Sequence, residues 1–215
     1  MASPAMAKDM GTGRKARASV APSYCDVARG HPIHGPFHDR EHGFPLTADA
    51  ALFERLVLEI NQAGLSWLTV LRKRAALKKA FADYELERVA RLDARARQRL
   101  LGCPGIVRHR GKIDAVIENA HRLIGIKERY GGFARWLDAH HPLRLGDWVK
   151  LFGEVFVFTG PKITEEFLVG TGYLPGAHQA WCPVYELALR AAPPWSRTGT
   201  AAGRKAGAAH PARAG

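Results

Sequence analysis

From Thr47 onward the apolar residues of this chain recur every three or four positions, the spacing of one helical face, and they do so almost without interruption. No stretch of six or more residues alternates. Val155–Phe158 is apolar throughout but too short to specify a strand. The pattern therefore predicts an all-α bundle with short connections. Thr47 is placed to cap a helix running to about Ala63, with Gly64 closing it. Ser66 is placed to cap a second helix to about Tyr84, and Leu65 and Val70 occupy the two positions of a hydrophobic staple. Asp93 can cap a short helix through Leu101. The spacing of Ile113, Val116, Ile117, Ala120 and Ile124 predicts a long helix from His109 to Tyr130. Shorter helices are expected near 132–140, 145–152, 161–170 and 179–191.

A bundle of this kind needs a core, and the composition supplies one. Of 215 residues, 47% are hydrophobic and 9% aromatic, which excludes wholesale disorder. No run approaches the roughly 18 apolar residues of a membrane span. Three cysteines cannot form a disulfide framework, and the chain opens without an apolar leader, so a cytoplasmic, reducing location is expected. The net charge is +12. Residues 1–22 contribute +3 and residues 193–215 contribute +4; both segments are rich in Ala, Gly, Ser and Pro. They read as disordered basic tails around a single domain at 23–192, either steering the protein toward a polyanion or simply solubilising it.

Glu59 does not fit a purely structural helix. At about 100° per residue it shares a wedge of about 60° with Leu52, Leu56 and Ala63, the apolar face. A carboxylate there is unfavourable unless it is paired or faces a polar cavity. The structural alternative is a buried salt bridge; the functional one is a pocket acid that hydrogen-bonds a ligand or acts as a base. Trp67 follows across the Gly64 turn, where an indole could form a flat wall for a planar ligand or simply fill the core.

Cys25 and His38 near one end, with His178 and Cys182 near the other, offer a Cys2His2 set suited to a single tetrahedral zinc ion. Such a set leaves no open position for water, so the ion would be structural and would staple the two ends of the domain together. Cys103 has no comparable partner and reads as a small core residue.

Two segments suit an acidic backbone. Gly105–Lys112 places three cations, Arg108, Arg110 and Lys112, and His109 at the start of the long helix. Phe156–Lys162 runs from an apolar stretch through Thr159 and Gly160 into Pro161 and Lys162, like the glycine-bearing turn of a helix-hairpin-helix, which aims backbone N–H groups at a phosphate. Arg72, Lys73, Arg74, Lys78 and Lys79 form a further basic run, read as a solvated helix face.

With these elements in place, Leu58–Trp67 (LEINQAGLSW) and Gly105–Ile113 (GIVRHRGKI) resemble the signatures of the DNA-3-methyladenine glycosylase I family. The spacing of Cys25, His38, His178 and Cys182 matches that family's zinc site, and the resemblance covers about residues 24–185. It implies a helix-hairpin-helix DNA glycosylase fold with a zinc-stapled N- and C-terminal region. It implies excision of 3-methyladenine from alkylated double-stranded DNA in base excision repair; nothing in the sequence demands more than a monomer. Glu59 corresponds to the base-recognising acid, and Trp67 and Phe37 to aromatic walls. Thr159, Gly160, Lys162, Arg108 and Arg110 correspond to DNA contacts.

The sequence also departs from that pattern. Val27, His34 and His42 stand where the family has Trp or Tyr, Phe37 replaces a Tyr, and Glu166 replaces a small polar residue. Relatives in the wider superfamily carry an Asp just before the position of His178, whereas Pro175-Gly176-Ala177 stands here. No lysine is placed as a Schiff-base nucleophile, so the expectation is a monofunctional glycosylase without lyase activity. The alternative is a zinc-stapled DNA-binding protein with an altered or inactive base pocket.

Overall fold

The computed structural model describes residues 22–197; of the tails expected at 1–22 and 193–215, residues 1–21 and 198–215 lie outside the described residues. Every regular element among the described residues is helical. In chain order these are α1 (Tyr24–Ala28), α2 (His34–Arg40), α3 (Asp49–Gln62), α4 (Trp67–Ala80), α5 (Leu86–Ala90) and α6 (Ala94–Gly102). There follow α7 (Arg110–Tyr130), α8 (Phe133–His140), α9 (Leu145–Val155), α10 (Pro161–Gly170), α11 (Pro183–Arg190) and α12 (Pro194–Arg197).

The axis of the fold is α3. Leu52, Phe53, Leu56, Val57, Leu58 and Ile60 are all fully buried, so the helix is covered on nearly every side. It packs against α4, α7, α8 and α10. Beyond α8, a cluster of aromatic rings fills the space between α8, α9 and α10. Phe133 stacks on Phe167 at 5.6 Å, and Trp136 meets Phe156 edge to face at 5.5 Å.

The expected helix starts are largely those observed. Ser66, Asp93 and His109 each accept a backbone N–H from three residues ahead. Three boundaries and one expected contact differ. Thr47 does not cap α3; Ala48 holds that position, and the Asp49 carboxylate instead accepts the N–H of Phe133 at 2.7 Å, capping α8. The second helix ends at Ala80, because the chain turns through a 3-10 segment that buries both Phe81 and Tyr84. The Leu65–Val70 staple does not form: Val70 is fully buried, whereas Leu65 is 39% exposed. The segment 179–182 is loop, and α11 starts only at Pro183.

The fold also extends past the expected domain end at 192. The N–H of Trp195 bonds the carbonyl of Gly172 at 3.1 Å, which fixes α12 against the α10–α11 connection. Cys103 packs against the main core, as expected of a small core residue.

Candidate active site

The turn between α3 and α4 controls where the two leading candidates stand. Gly64 adopts φ +76°, a conformation open to glycine, and reverses the chain directly after α3. Lys112 of α7 secures that turn. Its buried ammonium donates to the carbonyls of Asn61 at 2.9 Å and Ala63 at 2.6 Å, the orphan acceptors at the C-terminus of α3. Lys112 is thus a helix clamp, not one of the surface cations its motif suggested.

Glu59 lies on the buried face of α3, with Leu52 and Leu56 as expected, although Ala63 is exposed. It is 6% exposed, and its carboxyl oxygens have no hydrogen-bonding partner among the described residues. They face two adjoining cavities. The smaller, of about 180 Å³, is lined by Tyr24, Phe37, His42, Trp67, Gln62 and Glu166 as well as Glu59. The larger, of about 430 Å³, runs from Glu59 past Gly64 and Leu65 to Gly160, Pro161, Lys162 and Ile163.

The smaller space has three aromatic side chains in its lining, and the larger adjoins it through Glu59, Gln62 and Glu166 and reaches the α9–α10 turn. Burial pushes the Glu59 carboxyl up to about 8, with Glu166 adding to the rise and Arg55 and Lys162 opposing it. An unpartnered acid in such a place favours a ligand that brings its own donor or positive charge.

Trp67 and Phe37 meet edge to face at 5.1 Å, so they form adjacent walls at an angle, and a planar ligand lies flat on one of them. Behind Phe37 the buried guanidinium of Arg55 sits 4.3 Å from the ring centre and pairs with Glu41 at 3.2 Å. Arg55 stands outside the wedge of Leu52, Leu56, Glu59 and Ala63, yet it is buried. The usable signal was its i, i+4 relation to Glu59 on one helix. Tyr24 was also missed, and its only cue was adjacency to Cys25. Glu166 enters both cavities, and it holds Lys162 at 2.7 Å.

The four expected metal ligands converge. Cys25, His38, His178 and Cys182 are all buried, and their ligand atoms lie within 4.8 Å of one another. Cys25 Sγ is 4.0 Å from His178 Nδ1, Cys182 Sγ is 3.8 Å from His38 Nε2, and the two imidazole nitrogens are 3.1 Å apart. A tetrahedral zinc ion sets its ligands about 3.3–3.8 Å apart, so the cluster fits one with small adjustments.

The outward nitrogens fit as well. His38 Nδ1 contacts the Asp39 carboxylate at 2.7 Å, and His178 Nε2 contacts the His42 carbonyl at 2.8 Å, leaving the inner nitrogens free to ligate. Gly43, at φ +81°, allows that close approach: a Cβ there would stand 2.5 Å from Ala177 and 3.4 Å from the His178 ring. The residues can therefore hold a metal ion.

The two basic segments also come together. Phe158, at φ +63°, packs edge to face on His109 at 6.2 Å, which sets the α9–α10 hairpin beside the start of α7. Asn119 clamps the hairpin by bonding both the N–H and the carbonyl of Val157. Arg108 and Arg110 are exposed beside it and take part in no ion pair among the described residues.

Two hairpin residues differ from expectation. Thr159 is buried and donates its hydroxyl to the Phe152 carbonyl at 3.0 Å, so its side chain serves the turn and is not presented outward. Lys162 is exposed but already paired with Glu165 and Glu166. Within the run 72–79, Lys73 bonds the carbonyls of Pro104 and Gly105, and Arg74 bridges Glu41 and Glu54; Arg72, Lys78 and Lys79 are solvated as expected.

Known proteins resemble this chain in sequence and in fold. A model of the methyladenine glycosylase family matches residues 27–144. DNA-3-methyladenine glycosylase 1 of Escherichia coli (strain K12) is 39% identical over 104 residues, 48% of this chain and 56% of that protein. DNA-3-methyladenine glycosylase of Haemophilus influenzae is 33% identical over 114 residues, 52% of this chain and 62% of that protein. The matches thus span less than two thirds of the length of these curated relatives.

Solved structures match over more of their length. 3-methyladenine DNA glycosylase I from Staphylococcus aureus superposes with a TM-score of 0.69 at 32% identity, covering 75% of this chain and 95% of that one. A single-residue variant of 3-methyladenine DNA glycosylase I in complex with 3-methyladenine gives 0.68 at 33% identity, covering 75% and 96%. The family model covers more than half of the chain, and the all-helical fold is shared over nearly the whole of these neighbours. The chain therefore belongs to the methyladenine glycosylase family.

Proposed function

We propose that this chain is a monofunctional DNA glycosylase that removes 3-methyladenine from alkylated double-stranded DNA by hydrolysing the N-glycosidic bond, in base excision repair. The observation that carries the reading is Glu59, buried without a partner at the meeting point of an aromatic pocket and an open approach. A base inside a duplex is out of reach, so the damaged nucleotide is turned out of the stack into the pocket. Alkylation at N3 makes the adenine cationic and therefore a good leaving group. Trp67 stacks on the ring, Phe37 closes the adjacent wall, and ionised Glu59 pairs with the positive purine and accepts a hydrogen bond from its exocyclic amine. Water then attacks the sugar carbon, leaving an abasic site.

Leu65, exposed at the rim of the approach, is placed to fill the gap the extruded base leaves. Lys162 lines the approach, but the Glu166 carboxylate raises its proton affinity and keeps it a cation, not an amine nucleophile, which supports hydrolysis without lyase chemistry. One structural zinc ion on Cys25, His38, His178 and Cys182 holds α1 and α2 against the α10–α11 loop. The protein acts as a cytoplasmic monomer, and its basic tails, beyond a domain ending near Arg197, add long-range attraction to DNA. A buried, unpartnered Glu59 between Trp67 and Phe37 favours the enzyme over a binding-only protein.

Free 3-methyladenine should quench the protein's tryptophan fluorescence through Trp67, and adenine should do so more weakly. Equal responses to the two bases would contradict the pocket assignment. On the DNA side, affinity for duplex DNA should fall as salt rises, and Arg110→Ala should reduce the slope of log K against log salt by about 1. A flat salt response would remove the hairpin face from DNA binding.

A further inference from the structure

Tyr24 packs edge to face on His38 of the metal cluster at 5.6 Å, and its ring also reaches the pocket that holds Glu59. Its ring lines the smaller cavity and stands edge to face with His42 at 5.1 Å and Phe37 at 6.4 Å. It is held there from both sides. Ser23 and Asp26 form a reciprocal capping box around the start of α1, which fixes the backbone on the N-terminal side. Cys25, the next residue, is buried in the metal cluster and fixes the C-terminal side. The hydroxyl is 3.3 Å from Nδ1 of the buried His34, so the ring is also oriented in its plane. A tyrosine with a locked backbone and ring, facing a cavity, forms a preorganised wall at little entropic cost on binding.

We propose that Tyr24 is a specificity-determining residue of the base pocket: its ring is a third aromatic wall that limits the pocket to purines carrying a small N-alkyl group. The inference rests on the glycosylase reading of the same site. Tyr24, Phe37 and Trp67 are the aromatic lining of a cavity of about 180 Å³, and in this proposal a base whose alkyl group faces Tyr24 has room for a methyl while a longer chain meets the ring. The metal cluster then has a second consequence, since it presents this wall through Cys25 while its other ligand His38 directly follows Phe37.

The test compares wild type, Tyr24→Ala and Tyr24→Phe. Metal content and thermal midpoint are recorded for each, together with binding of free 3-methyladenine and 3-ethyladenine and release of both bases from alkylated DNA. Tyr24→Ala should keep its metal, bind 3-methyladenine about three- to tenfold more weakly, and shift the ethyl-to-methyl ratio toward the larger base. Tyr24→Phe should keep the wild-type ratio, because the ring and not the hydroxyl forms the wall. A metal-loaded Tyr24→Ala with wild-type affinity and ratio overturns the proposal. So does a Tyr24→Phe as impaired as the alanine variant, which would reduce Tyr24 to a support for His34. If wild type neither binds nor releases 3-methyladenine, the reading of the site fails and this proposal with it.

Discussion

Glu59→Gln should lower the rate of 3-methyladenine release by about 10- to 100-fold while leaving the fold and DNA affinity intact. The amide keeps the shape and can still accept a hydrogen bond, but it loses the charge that balances a cationic purine, and hydrogen bonds to charged groups are worth about 1.5–3 kcal/mol. Two pH signatures should accompany the loss. Burial raises the carboxyl to about 8 from an ordinary 4.5, so in the free protein Glu59 holds a proton below that point. The wild-type kcat/KM should therefore climb as pH rises through about 8, and the Gln variant should lack that limb.

Stability moves the opposite way. Between 4.5 and about 8 the folded state holds a proton that the unfolded chain has released, so wild-type stability declines across that window and is level above it. Removing the buried acid should make Glu59→Gln the more stable protein at pH 8, by on the order of a few kcal/mol, with no advantage near pH 4. Chemical denaturation at the two pH values measures the difference. Unchanged base release in the variant would remove Glu59 from the mechanism.

The metal cluster carries the second large effect. His178→Ala should lose the ion and lower the thermal midpoint by on the order of 10 °C, because loss of a metal ligand set is among the few single changes that exceed about 4 kcal/mol. Chelation of the wild type should do the same, and added zinc should reverse it. An ion held there would not be placed to react: the four side chains would fill its coordination sphere, and Glu59 belongs to the neighbouring cavity. Its effect on activity should follow folding, since Cys25 and His38 directly adjoin two pocket walls, Tyr24 and Phe37. A metal-free His178→Ala that is as stable and as active as wild type would contradict the structural assignment.

Much of this was legible in the sequence, because local rules governed it. Ser66, Asp93 and His109 mark helix starts by hydrogen bonds that span three residues, and Glu59 stands out by periodicity alone. The four candidate ligands were grouped by residue type and spacing and strengthened by the family resemblance, and the fold brings them together although Cys25 and His178 are 153 positions apart. What was hidden depended on contacts between distant segments. Asp49 looks like a first-turn acid of α3 but caps α8. Lys112 looks like a surface cation but is buried in the α3–α4 turn. Thr159 looks like a phosphate contact but closes the α9 end. Arg55 reads as a solvent-facing residue until α2 brings Phe37 and Glu41 over it. Tyr24 reads as nothing in particular until Cys25 pins α1 beside the pocket. In each case the sequence supplies the polar group, and only the packing supplies its partner.

The most direct test of the account is chromatographic analysis of the bases freed from methylated duplex DNA by the purified protein. The account predicts release of 3-methyladenine, with intact but abasic DNA strands left behind. Salt-sensitive binding of the same DNA with no base released would contradict it, and would leave a zinc-stapled DNA-binding protein whose pocket does not act on this base.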